Sequence, residues 1–334
     1  MTTGAAWTDE HPETAHGRSR PDACSVQWEL ARASAMGTAS VARFWLAWEQ
    51  PGPWGRDAAR QSHLDPALGD ELSTRSADAG GRFILVRHPG GHAERQRSGD
   101  PAGTQPAGHR VLVGWAGEDP WLLSVQAPSA GDVLDRLDWE AVAAGDRRAV
   151  LAGWPDLEAA APVLLVCTNA KRDVCCAVRG RPVALGAAAE RPGRVWECSH
   201  TGGHRFAPTG VLLPHGQTLA RLDAARAVEV VDRAAQGELP LGAIGSAYDR
   251  GRSPLEPAGQ VAESFVRTEL GETGLTALAT GLEPVGDDTW VATVRHRDGR
   301  RWQVDVRRVE GEPELPASCG KAAGPTVTWN LSLR

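Results

Sequence analysis

Short apolar runs, closed off by glycine, proline and polar clusters, alternate along this chain with segments of helical periodicity. Residues 41–48 (VARFWLAW), ended by Pro51-Gly-Pro53, read as a strand rich in β-formers. Residues 56–79 read as helix or loop interrupted at Pro66, and strands follow at 82–87, 110–115 and 121–125. A helix over about 132–144 then completes the order β-α-β-β-β-α. The next stretch repeats it, with a strand at 162–166, a helix over roughly 176–189 and strands at 194–199, 210–213 and 218–221. A helix from Asp223 to about Ala235 ends this stretch. Beyond Gly237 the pattern changes to one amphipathic helix at about 260–270 and strands at 289–294 and 302–309, turned at Asp298-Gly299.

Each of the first two stretches has the element order of a thioredoxin-like layer, a central sheet flanked by helices. The expected fold class is α/β (α+β): two tandem thioredoxin-like domains plus a small C-terminal α+β module. The expected divisions are a polar, mobile leader over 1–22, a first domain over 23–150, a second over 151–237 and the module over 238–334. The segment 93–108 reads as a polar insertion.

Composition narrows the function classes. The net charge of −6 carries no basic field for nucleic acid or anionic lipid. The longest apolar runs, such as 161–166, are far too short for a bilayer, and the N-terminus has no apolar signal core, so a cytoplasmic protein without a membrane partner is expected. Six clustered cysteines do not make a disulfide framework of the secreted kind.

Four of those cysteines and three of the ten histidines fall within 163–222. Cys167 and Cys176 have eight residues between them, Cys175 adjoins the second, and His200 and His204 have three between them. Thiolate and imidazole suit zinc or iron–sulfur centres, whereas magnesium or calcium would need oxygen ligands that this segment hardly offers. Two-Cys, two-His zinc modules join their cysteines across a turn of about two to four residues and set their histidines on a helix. Here the cysteines are farther apart, and Gly202 and Gly203 each disfavour a helix by roughly 1 kcal/mol. A [2Fe–2S] rhomb, which needs one ligand pair on each of two irons and accepts His₂ in place of Cys₂, fits the spacing better.

Cys167-Thr-Asn-Ala-Lys-Arg-Asp-Val-Cys-Cys176, Trp196-Glu-Cys-Ser-His-Thr-Gly-Gly-His204, and Arg205-Phe-Ala-Pro followed by Leu213-Pro-His-Gly216 resemble the sucrase/ferredoxin-like family. These are thioredoxin-like ferredoxins whose C-x8-C and H-x3-H motifs carry the cluster. The resemblance implies a [2Fe–2S] cluster held by Cys167 and Cys176 on one iron and by His200 and His204 on the other. It implies an electron carrier rather than an enzyme, working with a redox partner protein, reductase or acceptor. The choice between Cys175 and Cys176 stays open. Cys198, Cys175 and Lys171 form a second tier: Cys198 faces the same way as His200 along a strand, and Lys171, with Lys321 the only lysines, could lend charge to the cluster rim. His215 reads as a turn residue.

Other chemistries stay open. Cys175 with Cys176 or Cys198 could serve a thiol–disulfide oxidoreductase, although no C-x-x-C is present and adjacent cysteines make a strained bridge. A structural zinc site is open on the same residues. Sucrose hydrolysis, which the family name evokes, needs two carboxylates flanking the bond, and Glu197 and Asp173 are the nearest acids. In the first domain His88 and His92 echo the histidine pair but lack a cysteine loop, and Cys24 stands alone; a surface loop is the expected reading. Ser318-Cys-Gly-Lys321 also resembles the family, without a derivable role.

Overall fold

The computed structural model describes residues 20–90 and 108–334, so the leader, apart from its last three residues, the insertion up to residue 107, and His92 lie outside the described residues. A short helix, α1 (Cys24–Leu30), precedes the first repeat: β1 (Phe44–Glu49), α2 (Pro66–Asp78), β2 (Arg82–Arg87), β3 (His109–Trp115) and β4 (Trp121–Ala127). Strands β1 and β2 are parallel, and β3 and β4 add antiparallel on the other side of β1. Three short helices follow, α3 (Ala130–Arg136), α4 (Trp139–Ala144) and α5 (Arg147–Gly153). The single helix expected at 132–144 is split because the Asp138 side chain accepts from Ala141 N and caps a new start.

After a two-residue strand, β5 (Glu158–Ala159), the second repeat runs β6 (Val163–Cys167), α6 (Val174–Glu190), β7 (Val195–Cys198), β8 (Gly210–Leu213), β9 (Gln217–Leu219) and α7 (Ala224–Ala234). Its pairing copies the first: β6 and β7 parallel, β8 antiparallel to β6, β9 antiparallel to β8. The mixed α/β, thioredoxin-like order expected from the sequence therefore occurs twice. The two copies are joined edge to edge, β2 against β7 with Val86 opposite Cys198 and Arg87 opposite Glu197, into one sheet of ten strands.

Burial explains why the strands read as unbroken apolar runs. Alternate residues go to opposite faces, and both faces are covered. Phe44, Leu46 and Trp48 face a core under α3 to α5, and Leu164 and Val166 face a core under α6 and α7. The other parity of both repeats meets in a shared core of Trp45, Ala47, Ile84 and Val86 with Leu165, Cys167, Cys198 and Val211. Cys167 and Cys198 thus lie at the end of the core that joins the repeats.

The last element of the large sheet, β10 (Asp249–Arg252), pairs with β9, although it falls in the span expected for the appended module. Asp-Arg-Gly-Arg has no apolar pattern to announce a buried strand, yet all four residues are buried. Their polar groups are met inside: Gln217 Nε2 donates to Asp249 Oδ1 at 2.6 Å, and Arg252 pairs with Glu263 at 2.6 and 2.8 Å. The module itself packs α8 (Pro257–Leu270) on a four-stranded antiparallel sheet of β11 (Leu278–Gly286), β12 (Thr289–His296), β13 (Arg301–Pro316) and β14 (Ala323–Leu333). Ala258, Ala262 and Val266, four apart along one helix stripe, meet Val294, Val304 and Val306. No helix among the described residues is long and apolar enough to cross a membrane.

Candidate functional site

The adjacent parallel strands β6 and β7 end in register, Cys167 opposite Cys198, so the loops that leave them emerge side by side. The first loop runs from Thr168 to Asp173 and enters α6, where the Asp173 side chain accepts from Cys175 N at 2.9 Å as N-cap. Cys176 lies in the first turn of that helix. Gly180, one turn on, permits the close approach: a Cβ there would lie 2.3 Å from Cys167 O. The second loop carries His200 and His204 and turns through Gly202 and Gly203, whose φ values of +80° and +69° are left-handed. A Cβ on Gly203 would also sit 2.3 Å from Arg250 Nη2.

The loops bring Cys167, Cys176, His200 and His204 to one place. Cys167 and Cys176 pack together in the shared core, the His200 side chain acts on the Cys167 thiol, and the two imidazoles lie with centroids 5.5 Å apart and planes 26° from parallel. The neighbouring Cys176 holds Cys167 well below the ordinary thiol range, helped by His200 and the Thr201 N–H and opposed by burial. Cys176 itself is pushed well up by Cys167 and by burial. Burial also lowers His204. The ring atoms His200 Nδ1 and His204 Nδ1 are buried and have no hydrogen-bond partner among the described residues. Two thiols and two imidazoles are donor types that a thiolate-and-imidazole metal centre uses, but the donor atoms that lie within 4.8 Å of one another among the described residues belong to another set, Cys24, Asp173, Cys175 and Cys319. The sulfurs are buried, whereas both histidines are partly exposed.

Neighbouring residues on a helix point about 100° apart, and the vicinal cysteines divide accordingly. Cys176 joins the shared core beside Cys167, while Cys175 joins a cluster with Cys24 of α1 and Cys319 of the β13–β14 turn. There Cys175 Sγ lies 3.7 Å from Cys24 Sγ and 3.2 Å from Cys319 Sγ, and Cys319 Sγ lies 3.6 Å from Cys24 Sγ. Together with Asp173 these offer donor atoms all within 4.8 Å of one another. The Cys24 contact brings Cys175 down to about 6 against its burial, and Cys24 is raised by the same contact. Burial opposes ionisation of Asp173, but the N–H groups of Cys319 and Cys175 and the Ser318 hydroxyl outweigh it.

The remaining second-tier residues separate clearly. Cys198 is a fully buried thiol whose ionisation burial opposes; it packs beside Cys167 in the shared core. Lys171 and Lys321 are exposed. Two cations whose charge acts on the sulfurs are Arg250, buried in β10 and lowered by burial to about 9, and Arg82, likewise lowered by burial. Arg250 donates to Gly202 O at 3.0 Å and so also holds the histidine loop. Neither arginine stands out in the sequence, since each comes from a strand distant from the motif. Of the two acids nearest the motif, Glu197 is engaged by Arg87 at 2.5 Å and by the Thr168 hydroxyl at 2.8 Å, and Asp173 caps α6. His215 occupies the β8–β9 turn as expected, but it is buried there. His88 stacks on Trp196 with centroids 4.0 Å apart.

No curated protein and no solved structure matches the chain. Residues 118–246, the span from just before β4 to just before β10 that includes both loops of the candidate site, match the model of the Sucrase/ferredoxin-like family.

Proposed function

We propose that the chain is a [2Fe–2S] protein that passes single electrons to or from a redox partner protein, with Cys167 and Cys176 holding one iron and His200 and His204 the other. The observation that carries this reading is the pair of buried histidine nitrogens, without a hydrogen-bond partner among the described residues, on the loop beside the packed Cys167 and Cys176. When bound, such a cluster supplies a one-electron couple.

The chain's residues set the conditions for that couple. Neutral imidazoles in place of two thiolates reduce the negative charge on the centre, and the buried Arg250 and half-buried Arg82 add positive charge near the sulfurs. Both favour the reduced state, so the potential should lie above the roughly −400 mV of all-Cys plant-type ferredoxins. The sulfur side is closed by the shared core, and the partly exposed His200 and His204 form the shorter way out. A partner would therefore dock over the loop of Gly202 and Gly203. Because a ligating imidazole keeps a second nitrogen that can release a proton, the potential should fall with rising pH.

The test is the anaerobically purified full chain. Iron and acid-labile sulfide in equal amounts, with a paramagnetic signal after dithionite reduction, are expected; a colourless protein with zinc on Cys167, Cys176 and the histidines would sink the reading.

A further inference from the structure

Three cysteines from segments remote in sequence meet beside the pair just described, on the neighbouring stripe of α6. Cys24 and Cys175 are 151 positions apart, and Cys175 and Cys319 are 144 apart. Their sulfurs form a triangle with edges of 3.2, 3.6 and 3.7 Å. Thiolates at about 2.3 Å from a tetrahedral zinc lie roughly 3.8 Å from one another, so two edges match and the third is short by about half an ångström. Above the triangle, Asp173 Oδ2 and Oδ1 lie 3.8 and 4.0 Å from Cys24 Sγ, near the roughly 3.6 Å expected between a sulfur and an oxygen on one zinc.

We propose that Cys24, Cys175, Cys319 and Asp173 form a second metal site, structural and of the zinc class, separate from the Cys167/Cys176/His200/His204 centre. Soft thiolates in tetrahedral array select zinc among the common divalent ions. Binding releases to solvent whatever thiol protons the three cysteines still hold and puts a divalent charge where three sulfurs and a carboxylate would otherwise crowd together. The carboxylate is already aimed: the Ser318 hydroxyl donates to Asp173 Oδ2 at 2.8 Å, the Cys319 N–H to the same atom at 2.9 Å and the Cys175 N–H to Oδ1 at 2.9 Å. Such outer hydrogen bonds orient metal ligands. Cys24, Cys175 and Asp173 are buried and Cys319 is half-buried, so solvent reaches the site only from the side of the β13–β14 turn. It ties α1, the start of α6 and the β13–β14 turn together, and so fixes the helix turn that presents Cys176.

The experiment uses the full chain purified under reducing, anaerobic conditions, with zinc chloride supplied and excess removed by dialysis. One zinc per chain is expected, and zinc-edge X-ray absorption should show three sulfur neighbours at about 2.3 Å and one oxygen at about 2.0 to 2.2 Å. Cys319→Ser and Cys24→Ser should each cut the zinc content at least tenfold while iron is kept, and His204→Ala should keep the zinc. The proposal is overturned by no retained zinc, by a coordination shell of two sulfurs and two nitrogens, by zinc that follows His204→Ala instead, or by a Cys175–Cys319 disulfide found by mass spectrometry in the reduced preparation. The absorption spectrum of the unaltered chain decides the matter even if a variant fails to fold.

Discussion

The two repeats share one strand order and differ in the loops that leave their first two strands. After β6 the chain delivers Cys167 and Cys176; after β1 it delivers Pro51-Gly-Pro-Trp54, where Trp54 packs into the first core, donates from Nε1 to Gln50 O at 2.9 Å and lies under the Arg87 guanidinium at 4.2 Å. After β7 come His200 and His204; after β2 comes His88, stacked on Trp196. The first repeat is tied to the second. Asn169 Nδ2 donates to Gly55 O at 2.9 Å, and Arg87 bridges Pro51 O and Glu197, which in turn receives the Thr168 hydroxyl. A thioredoxin-like layer therefore sets where two loops emerge, and the residues in those loops decide whether they gather thiols and imidazoles or brace the loops that do.

The largest expected break in this comparison is in iron content. His204→Ala should empty the second repeat, whereas His88→Ala should leave iron and sulfide unchanged, as metal analysis of both purified variants would show. Equal losses in the two would mean that the repeats do not differ as described. Next in size is stability carried by the first repeat. Trp54→Ala removes a buried indole and should cost about 3–5 kcal/mol in urea unfolding, with the iron per folded chain kept.

The smallest expected effect is a difference in acid sensitivity. His215, in the β8–β9 turn, is brought to about 4 by burial and by the nearby Arg252 and Arg267, while the corresponding β3–β4 turn, residues 116–120, has no histidine. The unfolded chain takes up a proton at this residue below about pH 6.5 and the folded chain does not, so stability falls as pH drops from about 6.5 towards 4 and is flat above. Between pH 7 and 5 the loss should be about 2 kcal/mol. His215→Gln should remove it, and unchanged pH dependence in that variant would refute the assignment.

Much of the repeat architecture is legible in the sequence because strands buried on both faces write long apolar runs and caps write their own signals, as Asp223 does by accepting from Arg226 N at 2.7 Å before α7. The C-x8-C and H-x3-H spacings point at four residues that the fold does bring together. The hidden part depends on distance along the chain. Cys24 reads as a lone thiol until α1 sets it against Cys175, and Cys319 until a hairpin brings it back. The polar β10 carries no apolar pattern that marks a strand, and its Arg250 acts on sulfurs whose motif lies some eighty residues earlier. Lys171 stands out by rarity, which says nothing about which side chains point inward.

The seam between the repeats is narrow, two facing residue pairs on β2 and β7. Each of those strands hides the other's open flank, so cutting the chain between the halves would bare a row of amide and carbonyl groups that invites self-association. A fragment trimmed to the family-matched span would thus lose β2, the strand that covers the flank of β7.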